Sequence, residues 1–229
     1  MTLADEFVRR ARRRPEALLV GRGRCVEQYG TGETYLPFLD ALGSLLSGTG
    51  GARVATVLWS HAPMWCLQLP AVFGSSDTHT QLQQETIGAT KDRMLRELGD
   101  ALSALTASIA IVLVLEDLHW ADAPSVDVLR YLCQRVGDQR LLIVGTLRPE
   151  GVARRDHPLR GYRHELVGRE RCEELALPMF ASQHVESYLN ARFAPNDFAN
   201  QLTSLIQRKT DGHPLFATLL IQWLLERGD

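Results

Sequence analysis

Ile109-Ala-Ile-Val-Leu-Val-Leu115, running straight into Glu116-Asp-Leu-His-Trp-Ala-Asp122, is the stretch on which the reading of this chain turns. An unbroken apolar run of strand length, without polar alternation, marks a strand covered on both faces, as in a parallel sheet. The flanks agree with that reading. Upstream, Met94, Leu95, Leu98, Leu102 and Leu105 repeat at helical intervals and predict an amphipathic helix from about Thr90 to Thr106. Downstream, Asp122 is placed to cap a helix with Pro124 in its first turn and Val126, Leu129, Leu132, Cys133 and Val136 as its apolar stripe. A second apolar run, Leu141 to Val144, follows, and an earlier one, Ala17 to Val20, is bounded by Pro15 and the Gly21, Gly23 pair. Strand and helix alternating in this way predict βαβ units, a parallel sheet and helices on both of its faces. In such sheets ligands collect at the carboxyl ends of the strands.

Further from the centre, Leu3, Phe7, Val8 and Ala11 share one face of an opening helix that ends in Arg9, Arg10, Arg12, Arg13 and Arg14. Cations at a helix C-terminus complement its dipole, and no aromatic residues interleave with these arginines, so nucleic-acid binding by this cluster is the weaker reading. The Gly30-x-Gly32 loop leads into a helix from Phe38 to Leu46; it is no phosphate cradle, because a lysine does not follow its last glycine. Arg53 to Phe73 predicts helical turns packed on the core, and Ser75 to Gln84 a polar surface loop. Cys172 to Leu177 predicts one more strand. From Ser182 the period is helical throughout, with Val185, Tyr188, Leu189 and Phe193 marking one helix, Leu202, Leu205 and Ile206 a second, and Leu215, Leu219, Leu220, Trp223 and Leu224 a third begun by Pro214. The expected organisation is an α/β core over residues 1–180 and an all-helical subdomain over residues 181–229.

Composition excludes several functional classes. A net charge of −2 over 229 residues gives no general attraction to nucleic acid or an anionic membrane. Four scattered cysteines form no CxxC pair, and the seven histidines form no i, i+3 or i+4 pair, so neither a disulfide framework nor a structural zinc site is expected. No apolar run reaches the ~20 residues of a membrane span, and the first residues lack the apolar centre of a secretory signal. A cytoplasmic location is expected by elimination.

Two acids, Glu116 and Asp117, end the most apolar strand, where charge is costly unless it is used. A magnesium ion held against phosphate oxygens would use it; a solvated loop start is the plain alternative. Arg148, in Gly145-Thr-Leu-Arg-Pro149, follows the next strand and would emerge on the same rim. There it either stabilises charge on a transferring phosphoryl group or forms a salt bridge to the acids.

Val112-Leu-Val-Leu-Glu-Asp-Leu-His-Trp-Ala-Asp122 resembles the Walker B region of AAA-like P-loop ATPase modules of the STAND signalling class. Gly145-Thr-Leu-Arg-Pro149 resembles that family's sensor strand, Gly212-His-Pro-Leu-Phe216 the Gly-x-Pro motif of its helical lid, and Gly21 to Tyr29 with Tyr35-Leu-Pro37 its second strand and following helix. The resemblance implies a three-layer P-loop NTPase-like fold with a helical lid, ATP and Mg2+ as cofactors, Glu116 and Asp117 at the metal, Asp117 polarising the attacking water, and Arg148 sensing the γ-phosphate. His213 and Pro214 would line the adenine side. Many relatives carry Asp where Glu116 stands, which adds one methylene to its reach.

A Walker A sequence, Gly-x-x-x-x-Gly-Lys-Ser/Thr, is missing: the only lysines are Lys91 and Lys209, preceded by Thr90 and Arg208. Thr2 to Phe7 resembles the start of the helix that leaves this loop in the family. The expectation is therefore a module that begins just after the phosphate loop, without the first strand, and stops at the last lid helix. As it stands it would bind ATP poorly. The expected function is an ATP-binding, ATP-hydrolysing switch of a signalling or transcriptional regulator, working with sensor or effector domains and compatible with a homo-oligomer. The alternative is a catalytically inert, NTPase-like protein-interaction module.

Overall fold

Three parallel strands, β1 (Leu18–Arg24), β2 (Ala110–Glu116) and β3 (Leu141–Gly145), lie side by side in chain order. The computed structural model describes residues 2–14, 16–27, 33–74, 90–135, 137, 139–153, 156–167, 172–193 and 200–227. Among these the helices are α1 (Leu3–Ala11), α2 (Leu36–Ser47), α3 (Gly51–His61), α4 (Pro63–Leu67), α5 (Pro70–Phe73), α6 (Lys91–Thr106), α7 (Ala123–Arg135), α8 (Pro149–Val152), α9 (Pro158–Val167), α10 (Ser182–Phe193), α11 (Asn200–Thr210) and α12 (Pro214–Arg227). A 3-10 turn, Leu118–Trp120, leaves β2. The expected surface loop, Ser75 to Gln84, lies outside the described residues.

The sheet is the middle of three layers, because β2 buries both of its faces. Ile111, Leu113 and Leu115 face a large core built from Phe38, Leu42 and Leu45 of α2, Leu58 of α3, Leu98, Leu102 and Leu105 of α6 and Leu129 and Leu132 of α7. Val112 and Val114, one residue out of phase, meet Val20 of β1 and Ala4 and Val8 of α1 on the opposite face. This two-sided burial explains why the β2 sequence shows no alternation. The α1 helix is pinned by a capping box, in which Thr2 Oγ1 accepts from Asp5 N–H (3.2 Å) and Asp5 Oδ2 accepts from Thr2 N–H (2.7 Å). Arg9 and Arg10 in its last turn close on Glu6 at 2.6 Å, so part of the arginine cluster is spent within the helix.

On the first face, Trp65 is fully buried, its Nε1–H donating to the Met94 carbonyl at 2.9 Å and its ring edge-on to Tyr35 and Phe38. Glu97, also buried, accepts from Met64 N–H and Arg93 Nε, both at 2.8 Å, while burial pushes its carboxyl up from the ordinary range. Cys25 and Cys66 lie in the same core, and burial drives both thiols up to about 12, with Asp122 adding to the effect on Cys25 and Glu97 to that on Cys66. Neither thiol should therefore react with a thiol reagent at about pH 8 until the protein is unfolded; rapid labelling of either in the native protein would place it outside this core.

The sheet is less complete at β3. Among the described residues β3 pairs only with β2. Leu142, in register with Val112 of β2, is 46% exposed although its neighbour is buried. The expected strand from Cys172 to Leu177 does not form: residues 172–181 carry neither strand nor helix, and Leu175 and Leu177 are 71% and 73% exposed. A strand exists only with a neighbour to take its backbone hydrogen bonds, and apolar side chains alone do not supply one.

The chain divides into two compact units, Met1–Glu173 and Glu174–Asp229. In the second, Val185 and Leu189 of α10, Ile206 of α11 and Ala217 and Ile221 of α12 form a separate small core. Leu215, Leu219 and Trp223 do mark α12, but they lie on its exposed side. The helix is apolar nearly all round, so periodicity locates it without choosing which face is buried. Among the described residues no helix is long and apolar enough to cross a membrane.

Candidate functional site

The site is assembled at the carboxyl rim of the sheet. Parallel pairing sets Leu115 opposite Gly145, so Glu116, Asp117, Thr146 and Arg148 all leave the sheet at the same end. Backbone bonds stitch that end together: Cys25 N–H donates to the Glu116 carbonyl (2.9 Å), Thr146 N–H to that of Leu115 (3.0 Å), and Leu118 N–H to that of Thr146 (2.8 Å). Asp117 takes a left-handed conformation with φ 58° and ψ 41°, which an Asp tolerates better than a bulky residue. Its N–H donates to Thr146 Oγ1 at 3.0 Å, fixing the main chain from which the carboxylate projects.

Neither acid pairs with Arg148 among the described residues; two arginines of β1 occupy that role. Arg22 Nη1 lies 2.7 Å from Asp5 and 3.8 Å from Glu116, and Arg24 reaches Asp117 Oδ2 at 2.9 Å through both Nε and Nη2. The Thr2 N–H and the Arg22 guanidinium hold the Asp5 carboxyl at about 2. Arg22 and Arg24 escape the apolar pattern because the Ala17 to Val20 run ends at Gly21, whereas the strand continues to Arg24. Parallel register was the signal that could have found them, since Arg24 aligns with Glu116.

Arg148 is the N-cap of α8, and its backbone N–H faces His119 Nδ1 at 3.4 Å. His119 is buried, its carbonyl accepts from His157 Nε2 at 3.0 Å, and a Cβ on Gly151 would come within 2.7 Å of its own Cβ. It therefore packs the acidic turn against the loop that carries Arg148. His213 and Pro214 lie in the second unit, where Pro214 begins α12 and Gly212, at φ 72°, makes the turn before them. A Cβ on Gly212 would sit 2.1 Å from the Phe180 carbonyl, so the glycine is required both for conformation and for space. His213 Nδ1 is buried without a hydrogen-bond partner among the described residues, and its ring lies 4.5 Å from that of Phe216.

No group of three or more His, Cys, Asp or Glu side chains among the described residues could hold a metal by itself. Magnesium does not require such a cage: one or two carboxylates, water and substrate phosphates complete its octahedron. Glu116 and Asp117 fit that partial role, with Arg24 already on one Asp117 oxygen.

A family model described as AAA ATPase domain matches residues 2–144. Comparison with curated proteins and with solved structures finds no match. The matched region contains α1, all of β1 and β2 and the acidic turn, and ends within β3. The parallel α/β sheet and the helical C-terminal part agree with a P-loop NTPase-like fold, and AAA ATPase domains use ATP and Mg2+. With more than half of its length matched, the chain belongs to the AAA ATPase domain family.

Proposed function

We propose that this chain is the sheet and lid of an ATP-dependent switch of the STAND type, within a cytoplasmic regulator of signalling or transcription that also carries sensor or effector domains. The observation that carries the reading is the convergence of Glu116, Asp117 and Arg148 on one carboxyl rim in a member of an ATPase family. The outer edge of β3, unpaired among the described residues and with Leu142 exposed, supports one further step: another strand adds there and brings the phosphate loop that the Gly-Lys-free sequence lacks.

When bound, Mg2+ neutralises phosphate oxygens and orients the triphosphate. Glu116 would hold it, directly or through water. Asp117 orients the attacking water and takes its proton, and Arg148 donates to the γ-phosphate oxygens as negative charge builds on them. Pro214 and His213 are assigned to the base by resemblance alone. Nucleotide then sets the arrangement of sheet and lid, and hydrolysis resets it.

The inert interaction module is favoured by a specific observation, the occupation of both acids by Arg22 and Arg24. Titration with a fluorescent ATP analogue and Mg2+ separates the two readings. The 229-residue chain should show no binding tighter than millimolar. A chain extended at its N-terminus by a strand and a Gly-x-x-x-x-Gly-Lys-Thr loop should bind at micromolar levels and lose that binding when the new lysine becomes alanine. An extended, folded chain that still ignores ATP would leave the inert module as the function.

A further inference from the structure

Between α11 and α12 the second unit carries a groove of about 450 Å³. Its lining includes Leu205, Phe216, Leu220, Trp223 and Leu224, together with Lys209. Phe216 and Trp223 are 56% and 47% exposed, and the small core beneath them is already closed by Ala217 and Ile221. These two side chains lie outside that core, and the unit presents them together. Apolar patches of this kind, rimmed by polar groups, mark interaction sites.

The charges at the groove indicate what covers it. Lys209, on the last turn of α11, shares the groove with Phe216 at the start of α12. At the other end, the Arg227 guanidinium lies over the Trp223 ring, 4.6 Å from its centre. No carboxylate pairs with either cation among the described residues. Phe216 and Trp223 are seven positions apart on one helix, which at 1.5 Å per residue is about 10 Å, or two turns. The groove is therefore an apolar trough with a cation at each end. A second copy of this unit laid into it would bring Lys209 and Arg227 against the same cations in either direction, so these two charges do not favour self-association.

We infer that this groove receives an amphipathic helix of a partner protein or domain whose leucine-type face is flanked at either end by a carboxylate, one meeting Lys209 and the other Arg227. The apolar stripe of that helix fills the trough, and the two acids set its register.

The probe is a labelled helical peptide of about 18 residues, long enough to hold helical structure, with leucines on one face and a glutamate flanking that face at either end. A twin carries lysines at the two glutamate positions. In anisotropy titrations the protein should prefer the glutamate peptide by about tenfold at low ionic strength, and the preference should shrink as salt is added. Lys209→Glu with Arg227→Glu should reverse the preference, and Trp223→Ala should weaken both peptides while the far-ultraviolet circular dichroism stays native. Equal binding of the twins, or a preference that survives the double charge reversal, overturns the inference. So does concentration-dependent dimerisation abolished by Trp223→Ala, which would assign the groove to a second copy.

Discussion

Gly23→Ala should cost about 3 kcal/mol or more of folding stability, a large share of the roughly 5–15 kcal/mol available to a domain. The cause is a backbone collision. An added Cβ would lie 1.7 Å from the Pro37 carbonyl oxygen and 2.6 Å from its carbon, and no side-chain rotation relieves a contact with main chain. The start of α2 would have to lift away from β1, and with it Phe38, Leu42 and Leu45, which are 2%, 2% and 1% exposed. The same helix provides the control. A Cβ on Gly43 meets nothing within 4 Å, so Gly43→Ala should be neutral or should stabilise by about 0.5–1 kcal/mol through helix propensity. Urea unfolding followed by circular dichroism measures both. A Gly23→Ala midpoint equal to that of the parent would mean that β1 and α2 do not pack as described.

Gly23 also shows where the sequence could be read and where it could not. The β2 run announced itself because burial on both faces leaves no polar residue in it, and β3 followed from rhythm and length. In β1 the apolar signal stops at Val20, and glycines ordinarily weaken a strand. Pairing with β2 makes Gly23 a strand residue and carries Arg22 and Arg24 up to the acids, and the closeness of α2, a tertiary fact, requires that residue to be glycine. Leu175 and Leu177 failed in the opposite sense: their side chains suit a strand, but pairing depends on a neighbour that local pattern does not specify. The acidic rim was legible because Glu116 and Asp117 break an apolar run at its end. Thr146 was not, since its role rests on a hydrogen bond to the Asp117 backbone across the sheet.

In a chain extended at its N-terminus by a strand and a phosphate loop, Asp117→Asn should lower ATP turnover about a hundredfold or more, the range for removing a positioned general base, with a much smaller change in ATP affinity. Asn keeps the shape, and the backbone that presents it stays fixed by the Thr146 hydroxyl. What it loses is the charge that, in the proposed mechanism, orients water and accepts a proton. Arg24→Gln provides the decisive contrast, because Arg24 occupies Asp117 Oδ2 at 2.9 Å. If the main chain alone places Asp117, as the Thr146 bond and the left-handed turn indicate, removing Arg24 frees a carboxylate oxygen, and turnover stays at or above that of the parent. A fall comparable to that of Asp117→Asn would mean that the arginine, not the backbone, holds the carboxylate in its working position. Unchanged turnover in Asp117→Asn itself would remove Asp117 from the chemistry and leave Glu116 and Arg148 to account for any hydrolysis.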